Sequence, residues 1–266
     1  MNAADVTLRR STFGRRARVY LVESRYELIK LLRLPAFALP TIGFPLVFYV
    51  LFGVAFGSQK AGAVTMAAYL IATYGAFGVI GASLFGFGVG VATERCQGWL
   101  LLKRATPMPP GAYFAAKTVM ALIFSLFIVG GLFALGATAG GVHLPAGRWV
   151  ALAVVLVSGA IPFCAAGLAV GYLAGPNSAP AVVNLVYLPV AFLSGLWLPV
   201  KALPGWMQAI SPWLPPYYLG ELALTALGMP DREPVLRSVG ALALFTVVAL
   251  LTARLAWRRD EGRTYG

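Results

Sequence analysis

Residues 94–117, ERCQGWLLLKRATPMPPGAYFAAK, form a charged island between two long apolar stretches of this chain. No Asp, Glu, Lys or Arg occurs in residues 61–93 before it or in residues 118–147 after it. Each flank exceeds the roughly 20 apolar residues that a helix needs to cross a bilayer. We therefore predict two membrane-spanning helices joined by a charged loop, the polar segment, whose composition suits contact with a soluble protein.

The composition indicates an integral membrane protein. Hydrophobic residues make up 59% of the chain and charged residues 11%, against about 25% charged in an average soluble domain. The net charge of +12 does not indicate nucleic-acid binding, because the basic residues flank apolar runs and form no groove interleaved with aromatics. Cys96 and Cys164 have no spacing typical of a metal site or disulfide framework and are interpreted as packing residues.

The uncharged runs predict an all-α membrane protein with six transmembrane helices. The 52 residues between Arg148 and Lys201 carry no formal charge, which is enough for two helices, and the GPNS turn at residues 175–178 separates them. Glycines four residues apart, such as Gly167 and Gly171, allow close helix packing within the chain or between subunits. The predicted spans lie within residues 35–57, 64–91, 119–140, 149–174, 180–198 and 235–257.

The basic residues predict the orientation. With both termini inside, 16 of the 21 Lys and Arg residues face the cytoplasm. We expect a multi-pass protein of the bacterial cytoplasmic (inner) membrane, with cytoplasmic N- and C-termini. The chain is interpreted as one domain, 1–266, comprising an N-terminal region (1–34), a six-span bundle (35–257) and a cytoplasmic tail (258–266).

Two segments outside the spans have their own patterns. Residues 15–33 predict an amphipathic helix in the membrane interface, with an apolar stripe of Val19, Val22, Tyr26, Ile29 and Leu32 and with Arg18, Arg25, Lys30 and Arg33 near lipid head groups. The basic N-terminal region is too long for a cleavable signal peptide. Residues 199–234 combine seven prolines with Trp206, Trp213, Tyr217 and Tyr218. This second pattern predicts an outer cap of short re-entrant or interfacial helices.

The sequence offers little for catalysis or ion coupling. Residues 111–118, GAYFAAKT, come within one residue of a phosphate-binding P-loop, but Pro109 and Pro110 stand where a strand should precede it. His143 is the only histidine, so one chain cannot assemble a histidine metal site. The predicted spans lack Asp and Glu, which argues against an ion-coupled transporter. We expect no enzyme activity, no bound metal and no cofactor held by this chain.

The polar segment resembles the pattern that follows the second span of ABC-2 type permeases, the membrane subunits of ATP-driven exporters. The resemblance rests on Glu94-Arg95, Gly98, a leucine at 101 or 102, Arg104, Thr106-Pro107 and the later Lys117. Cys96-Gln97 departs from the pattern, which has a charged or small residue more often there. The resemblance extends over nearly the whole chain, including Leu203-Pro204-Gly205-Trp206 before the last span.

The resemblance implies a two-fold dimer of permeases, expected as a homodimer, with two separate ABC ATPase subunits that bind ATP and Mg²⁺ on the cytoplasmic face. It also implies that the polar segment forms a coupling helix that docks on the ATPase and that substrate passes between the permeases. The candidate coupling residues are Glu94, Arg95, Gly98, Arg104, Thr106 and Pro107.

The expected function is export of hydrophobic or amphipathic compounds, such as drugs or antibiotics. Export of a lipid-linked polysaccharide or another lipid remains an alternative, and a membrane-embedded lipid enzyme or a non-transporting scaffold is favoured less. Aromatic side chains in the spans are either packing residues or part of the substrate path. The candidates are Phe44, Phe48, Phe52, Tyr74 and Phe192.

Overall fold

The structure is a computed structural model that describes residues 3–106, 108–230 and 232–263, except for the side chains of residues 3–13, 15, 101, 104, 110 and 260–263. Helices dominate the described chain. They are α1 (Ala3–Leu32), α2 (Pro35–Phe48), α3 (Met66–Leu84), α4 (Gly90–Cys96), α5 (Trp99–Arg104), α6 (Pro110–Thr138), α7 (Ala146–Ser158), α8 (Ala160–Leu173), α9 (Ala179–Leu193), α10 (Gly205–Ile210), α11 (Pro215–Ala226) and α12 (Val235–Arg263).

The prediction of an all-α membrane protein is confirmed. Within the described residues, five helical stretches are long and apolar enough to cross a bilayer: Pro35–Val54, Met66–Cys96, Gly111–Thr138, Ala146–Leu173 and Val235–Arg259. The predicted fifth span forms α9, which has only 15 residues, so the count of six crossings stays a prediction. The fourth predicted span consists of α7 and α8, which meet at Gly159.

The first span begins where the sequence indicates. Pro35 occupies the first turn of α2, where its missing N–H would have had no helical acceptor. The helix continues as a π-helical turn, Tyr49–Val54. Strands β1 (Lys60–Ala61) and β2 (Val64–Thr65) then form a short antiparallel hairpin, with Gly62 at a φ of 66°. The Thr65 hydroxyl accepts a hydrogen bond from the Ala68 N–H and caps α3.

The second span is longer than predicted. A π-helical turn (Phe85–Val89) joins α3 to α4, so the helix extends over 31 residues, from Met66 to Cys96. At about 1.5 Å per residue it is roughly 46 Å long and exceeds the hydrocarbon thickness of about 30 Å. Glu94 and Arg95 therefore belong to the last turn of a helix. Their assignment to a loop was wrong.

The glycines of α8 serve packing within the chain. A Cβ added to Gly167 would lie 2.8 Å from the Cβ of Phe87, and one added to Gly171 would lie 2.7 Å from the Cβ of Val91. Only hydrogen fits in that space, so α8 and the second span approach closely, as small residues permit in membrane bundles. Of the two roles left open for this glycine pair, the structure supports intrachain packing.

The segment before the last span forms short helices, as predicted. After α9, the chain makes a 3₁₀ turn (Val200–Ala202), α10, a second 3₁₀ turn (Ser211–Trp213) and α11. Helix α11 packs against α3, α7 and α12 and buries Leu219 and Leu224. The depth of these helices in a membrane stays a prediction.

Helix α1 begins at Ala3, upstream of the predicted start, and packs on α6. Its apolar stripe points away from the bundle, because Tyr26 is 67% exposed and Val22 and Leu32 are also exposed. Glu27 is buried with Leu31. The predicted stripe therefore exists, but the face that contacts the protein carries acidic side chains.

Candidate coupling site and aromatic cluster

Five side chains from three helices meet at the end of the bundle that carries the polar segment. We call this group the charge cluster: Glu27 and Lys30 of α1, Glu94 of α4, and Tyr113 and Lys117 of α6. The Lys117 ammonium donates to Glu27 Oε1 at 2.7 Å and to Glu94 Oε1 at 3.1 Å. The Tyr113 hydroxyl donates to Glu94 Oε2 at 2.6 Å. Lys30 donates to Glu94 and, at 3.1 Å, to Glu27 Oε2.

The charge cluster is balanced, with two carboxylates and two ammonium groups. Lys117 is only 1% exposed, and Glu27 and Glu94 are buried as well. An isolated charge at such a site would carry a large desolvation cost, so each member depends on the others. Burial by itself lowers the pKa of Lys30, but attraction to Glu94 and Glu27 outweighs it and raises the pKa above its ordinary value. Lys30 therefore stays cationic at neutral pH.

This arrangement corrects one expectation. Lys30 was expected near lipid head groups, but it bonds to two carboxylates of its own chain. The near-match to a P-loop, residues 111–118, lies in helix α6, and the Lys117 ammonium bonds to Glu27 and Glu94.

Arg95 ties the second span to the fourth. Its guanidinium donates to the carbonyl oxygens of Tyr172 at 2.7 Å and Ala174 at 3.0 Å. These carbonyls lie at the C-terminal end of α8, where backbone acceptors lack helical partners and where the helix dipole favours a cation. The predicted coupling residue Arg95 therefore holds two spans together at the base of the polar segment.

Gly98 forms the turn between α4 and α5. Its φ is +74°, a left-handed conformation that glycine adopts without steric cost. The turn redirects the chain into α5, a six-residue helix. Lys103 of α5 donates to Glu23 of α1, and its ammonium lies 4.7 Å from the centroid of the Tyr113 ring. These contacts hold one side of α5 against α1 and α6.

Two apolar side chains of α5 are exposed. Trp99 is 51% exposed and Leu102 is 59% exposed. Thr106 follows the helix, is exposed, and donates to the Lys103 carbonyl oxygen at 2.7 Å. Arg104 belongs to α5, but its side chain and the whole of Pro107 lie outside the described residues.

The six candidate coupling residues therefore fall into different environments. Glu94 is buried in the charge cluster, Arg95 binds the end of α8, and Gly98 shapes the turn. Glu94, Arg95 and Gly98 would affect a docked protein indirectly, by setting the position of α5. Thr106 is exposed and can touch such a protein directly.

All five candidate substrate-path aromatics belong to one contiguous group, the aromatic cluster. Phe48 is central, with ring centroids 6.2 Å from Phe44, 6.1 Å from Phe52 and 6.2 Å from Tyr74. Phe192 joins through Trp197, whose ring centroid is 6.3 Å from that of Phe192 and 5.3 Å from that of Phe48. Phe44 and Phe52 are exposed. The cluster therefore presents an open apolar surface along α2.

Sequence reasoning missed three contributors to these sites. Glu27 and Tyr113 hold Glu94 and Lys117, and Trp197 joins Phe77 in the aromatic cluster. One signal was available for Glu27: Glu23, Glu27 and Lys30 are spaced by four and three residues and so share one face of α1. Trp197 lies in the irregular segment after α9, where periodicity gives no information.

Comparison with known proteins adds two findings. The sequence profile of the family described as ABC-2 type transporter matches residues 19–227, which include α2 to α11. A protein of Bacillus subtilis (strain 168) with the name "Putative transport permease YvfS" is 27% identical over 229 residues. That alignment spans 85% of this chain and 94% of the relative.

Proposed function

This chain belongs to the ABC-2 type transporter family, as a multi-pass membrane permease subunit and not an enzyme, and we propose that it exports hydrophobic or amphipathic compounds. The family implies association with ABC ATPase subunits. ATP and Mg²⁺ bind in two such subunits, and the chain itself holds no cofactor. The permease works in the bacterial cytoplasmic membrane with both termini inside, an orientation that the distribution of basic residues favours.

The proposal rests on the way in which α5 is attached to the rest of the protein. Lys103 holds the helix to α1, while the side chains of Trp99 and Leu102 are exposed. Tryptophan is a common anchor in protein interfaces, where a few residues supply most of the binding free energy. An ATPase cleft that covers Trp99 and Leu102 would hold the permease by its coupling helix.

The charge cluster gives a route from this contact to the spans. It links α1, α4 and α6 through buried hydrogen bonds, and Lys103 reaches the same region through Glu23 and the Tyr113 ring. A displacement of α5 by the ATPase would shift α1 and α6 together. Buried ion pairs with satisfied partners resist separation, so they transmit movement better than a solvated loop.

The substrate path and the dimer are proposed from the aromatic cluster. Helix α2 exposes Phe44, its π-helical extension exposes Phe52, and α9 exposes Leu185 and Val186. A second copy of this chain would cover part of these faces and leave an aromatic-lined passage between the two permeases. Such a passage suits cargo with rings or alkyl chains, because aromatic faces contact both without directional bonds.

Export of a lipid-linked polysaccharide is the second candidate. A cavity of about 540 Å³ between the β1–β2 hairpin, the turn after α9 and α11 supports it. Hydroxyl groups of Tyr69, Thr73, Ser194 and Tyr217 belong to residues that line this cavity. Sugars are recognised by hydrogen bonds of this type, so the cavity suits a polar cargo better than a purely apolar one.

The test is coexpression of the permease with ABC ATPase subunits of the same genome and copurification from detergent. The Trp99→Ala, Leu102→Ala double variant should lose most of the ATPase, whereas Trp213→Ala, an exposed tryptophan in the segment before α11, should not. Vesicles that contain the complex should then expel a hydrophobic dye when supplied with ATP. Equal ATPase recovery in both variants would contradict the docking role of α5, and no ATP-dependent dye movement would contradict export of such compounds.

A further inference from the structure

A cavity of about 350 Å³ lies where α5, α6, α8 and α12 meet. Its walls are largely apolar and include Leu100, Phe114, Leu168 and Leu250. It is separate from the aromatic cluster and from the charge cluster, sharing only Tyr113 with the latter. A pocket of this size and composition is typical of sites for small apolar molecules or single alkyl chains.

Two basic residues, Lys103 and Arg254, line this cavity, and none of its described lining residues is acidic. Lys103 donates to Glu23, which compensates part of its charge. For Arg254, no described side chain supplies a carboxylate partner. The cavity therefore combines apolar walls with positive charge, which complements an anionic head group on an apolar chain.

The position of the cavity indicates the source of such a molecule. Leu250, Ala253, Arg254 and Trp257 all belong to the membrane-capable stretch Val235–Arg259 of α12, most of which is exposed on the outside of the bundle. Tryptophan favours the membrane–water interface, and basic pockets between helices on the cytoplasmic side suit anionic lipid head groups. The surrounding bilayer would supply the ligand directly.

We propose that this cavity binds an anionic phospholipid of the surrounding membrane, with one acyl chain between α6, α8 and α12 and the phosphate beside Arg254 and Lys103. The assignment to the cytoplasmic leaflet rests on the proposed orientation, but the binding itself does not. A lipid seated here touches Leu100 of α5 and the last turns of α12 at once. It therefore fills the space behind the coupling helix.

The test uses bromine quenching of Trp257, which lines the cavity. The chain alone is placed in nanodiscs that contain equal amounts of brominated phosphatidylglycerol or brominated phosphatidylcholine. The difference in quenching between the unmodified chain and Trp257→Phe gives the contribution of Trp257. We expect that contribution to be at least twofold larger with phosphatidylglycerol.

Two charge variants decide the role of Arg254. Arg254→Gln should reduce Trp257 quenching by phosphatidylglycerol to the phosphatidylcholine level, and Arg254→Lys should retain most of it. Arg259→Gln is the matched control, because Arg259 is an exposed cation of the same helix that does not line the cavity. Quenching of Trp257 should not change in this variant. Ala253→Leu, which takes up cavity space without changing a charge, should lower quenching by either lipid.

No ATPase takes part in this experiment, so its failure and the failure of the exporter proposal are distinguishable. Native mass spectrometry of the detergent-purified chain provides a second measurement. The unmodified chain and Arg259→Gln should retain phosphatidylglycerol at a higher occupancy than Arg254→Gln. Equal quenching by the two lipids, or equal retention in Arg254→Gln and Arg259→Gln, would overturn the proposal.

Discussion

Lys117 of α6 donates a hydrogen bond of 3.1 Å to Glu94 of α4, and both side chains are buried. The two residues stand at the two ends of the polar segment, 23 positions apart. Their ion pair closes the segment into a loop with a fixed base. The part of the polar segment between these two residues contains α5 with its flanking turns. The ion pair holds this part at both ends.

Removal of the Lys117 charge should destabilise the fold strongly. Lys117→Met leaves Glu27 and Glu94 with Lys30 as their only ammonium partner among the described contacts, and the loss of one member of a buried pair costs about 3–5 kcal/mol. We expect the Tm in detergent, followed by tryptophan fluorescence, to fall by roughly 10 °C. Adding Glu27→Gln should restore part of the loss, because it removes the excess carboxylate.

The matched control for Lys117→Met is Lys60→Met, which removes an exposed lysine from β1. Its Tm should change by less than about 2 °C, as for most surface substitutions. If Lys117→Met and Lys60→Met melted at the same temperature, the charge cluster would not stabilise the fold.

Gly98→Ala should strain the turn before α5. At a φ of +74° an added Cβ costs about 1–2 kcal/mol, although no atom lies within 4 Å of its position. ATPase copurification should fall, because α5 is redirected. The control is Gly130→Ala in α6, which also has open space around it but helical geometry, so it should be neutral or slightly stabilising. Identical behaviour of the two variants would argue against a conformational role for Gly98.

Thiol labelling should reveal the orientation of the chain. Cys96 is exposed and Cys164 is buried, so a membrane-impermeant maleimide should label Cys96 alone. The reagent should reach Cys96 only from the cytoplasmic side of the membrane, which faces outward in inverted vesicles. In a Cys96→Ser background, Lys60→Cys should react from the opposite side. Labelling of both positions from one side would contradict the proposed placement of the termini.

The isolated chain should not bind nucleotide. Residues 111–118 form part of α6, and the buried Lys117 ammonium is already bonded to Glu27 and Glu94, so no loop of free N–H groups is available for phosphate. Titration with a fluorescent ATP analogue in detergent should show no saturation. A saturable signal that disappears in Lys117→Ala would refute this prediction.

The sequence was sufficient for the long apolar helices, because hydropathy adds up along a span whatever the helix packs against. It carries a signal for part of the aromatic cluster, since Phe44, Phe48 and Phe52 repeat every four residues on one face of α2 and its π-helical extension. It placed Glu94 and Arg95 in a loop because charge marks the end of a hydrophobic run, whereas the second helix extends beyond that run.

The charge cluster could not be predicted, for a different reason. Lys117 meets Glu27 across 90 positions of sequence, and Lys30 meets Glu94 across 64. Such contacts depend on how α1 and α6 are rotated about their axes. A single sequence indicates which face of a helix is apolar but not which neighbouring helix that face contacts. In α1, a charged face packs against the rest of the protein.

The bonds from Arg95 to the carbonyl oxygens of Tyr172 and Ala174 give the short GPNS turn after α8 an unexpected sensitivity. Residues 175–178 carry no charge, and their described hydrogen bonds stay within the turn and the start of α9. Ala174, whose carbonyl oxygen accepts a hydrogen bond from Arg95, directly precedes this turn. A residue deleted from the turn would pull on the Ala174 carbonyl group, because the chain must still reach the start of α9 at Ala179. The bond to Arg95 therefore constrains the length of the turn, in addition to the connection between the two helices.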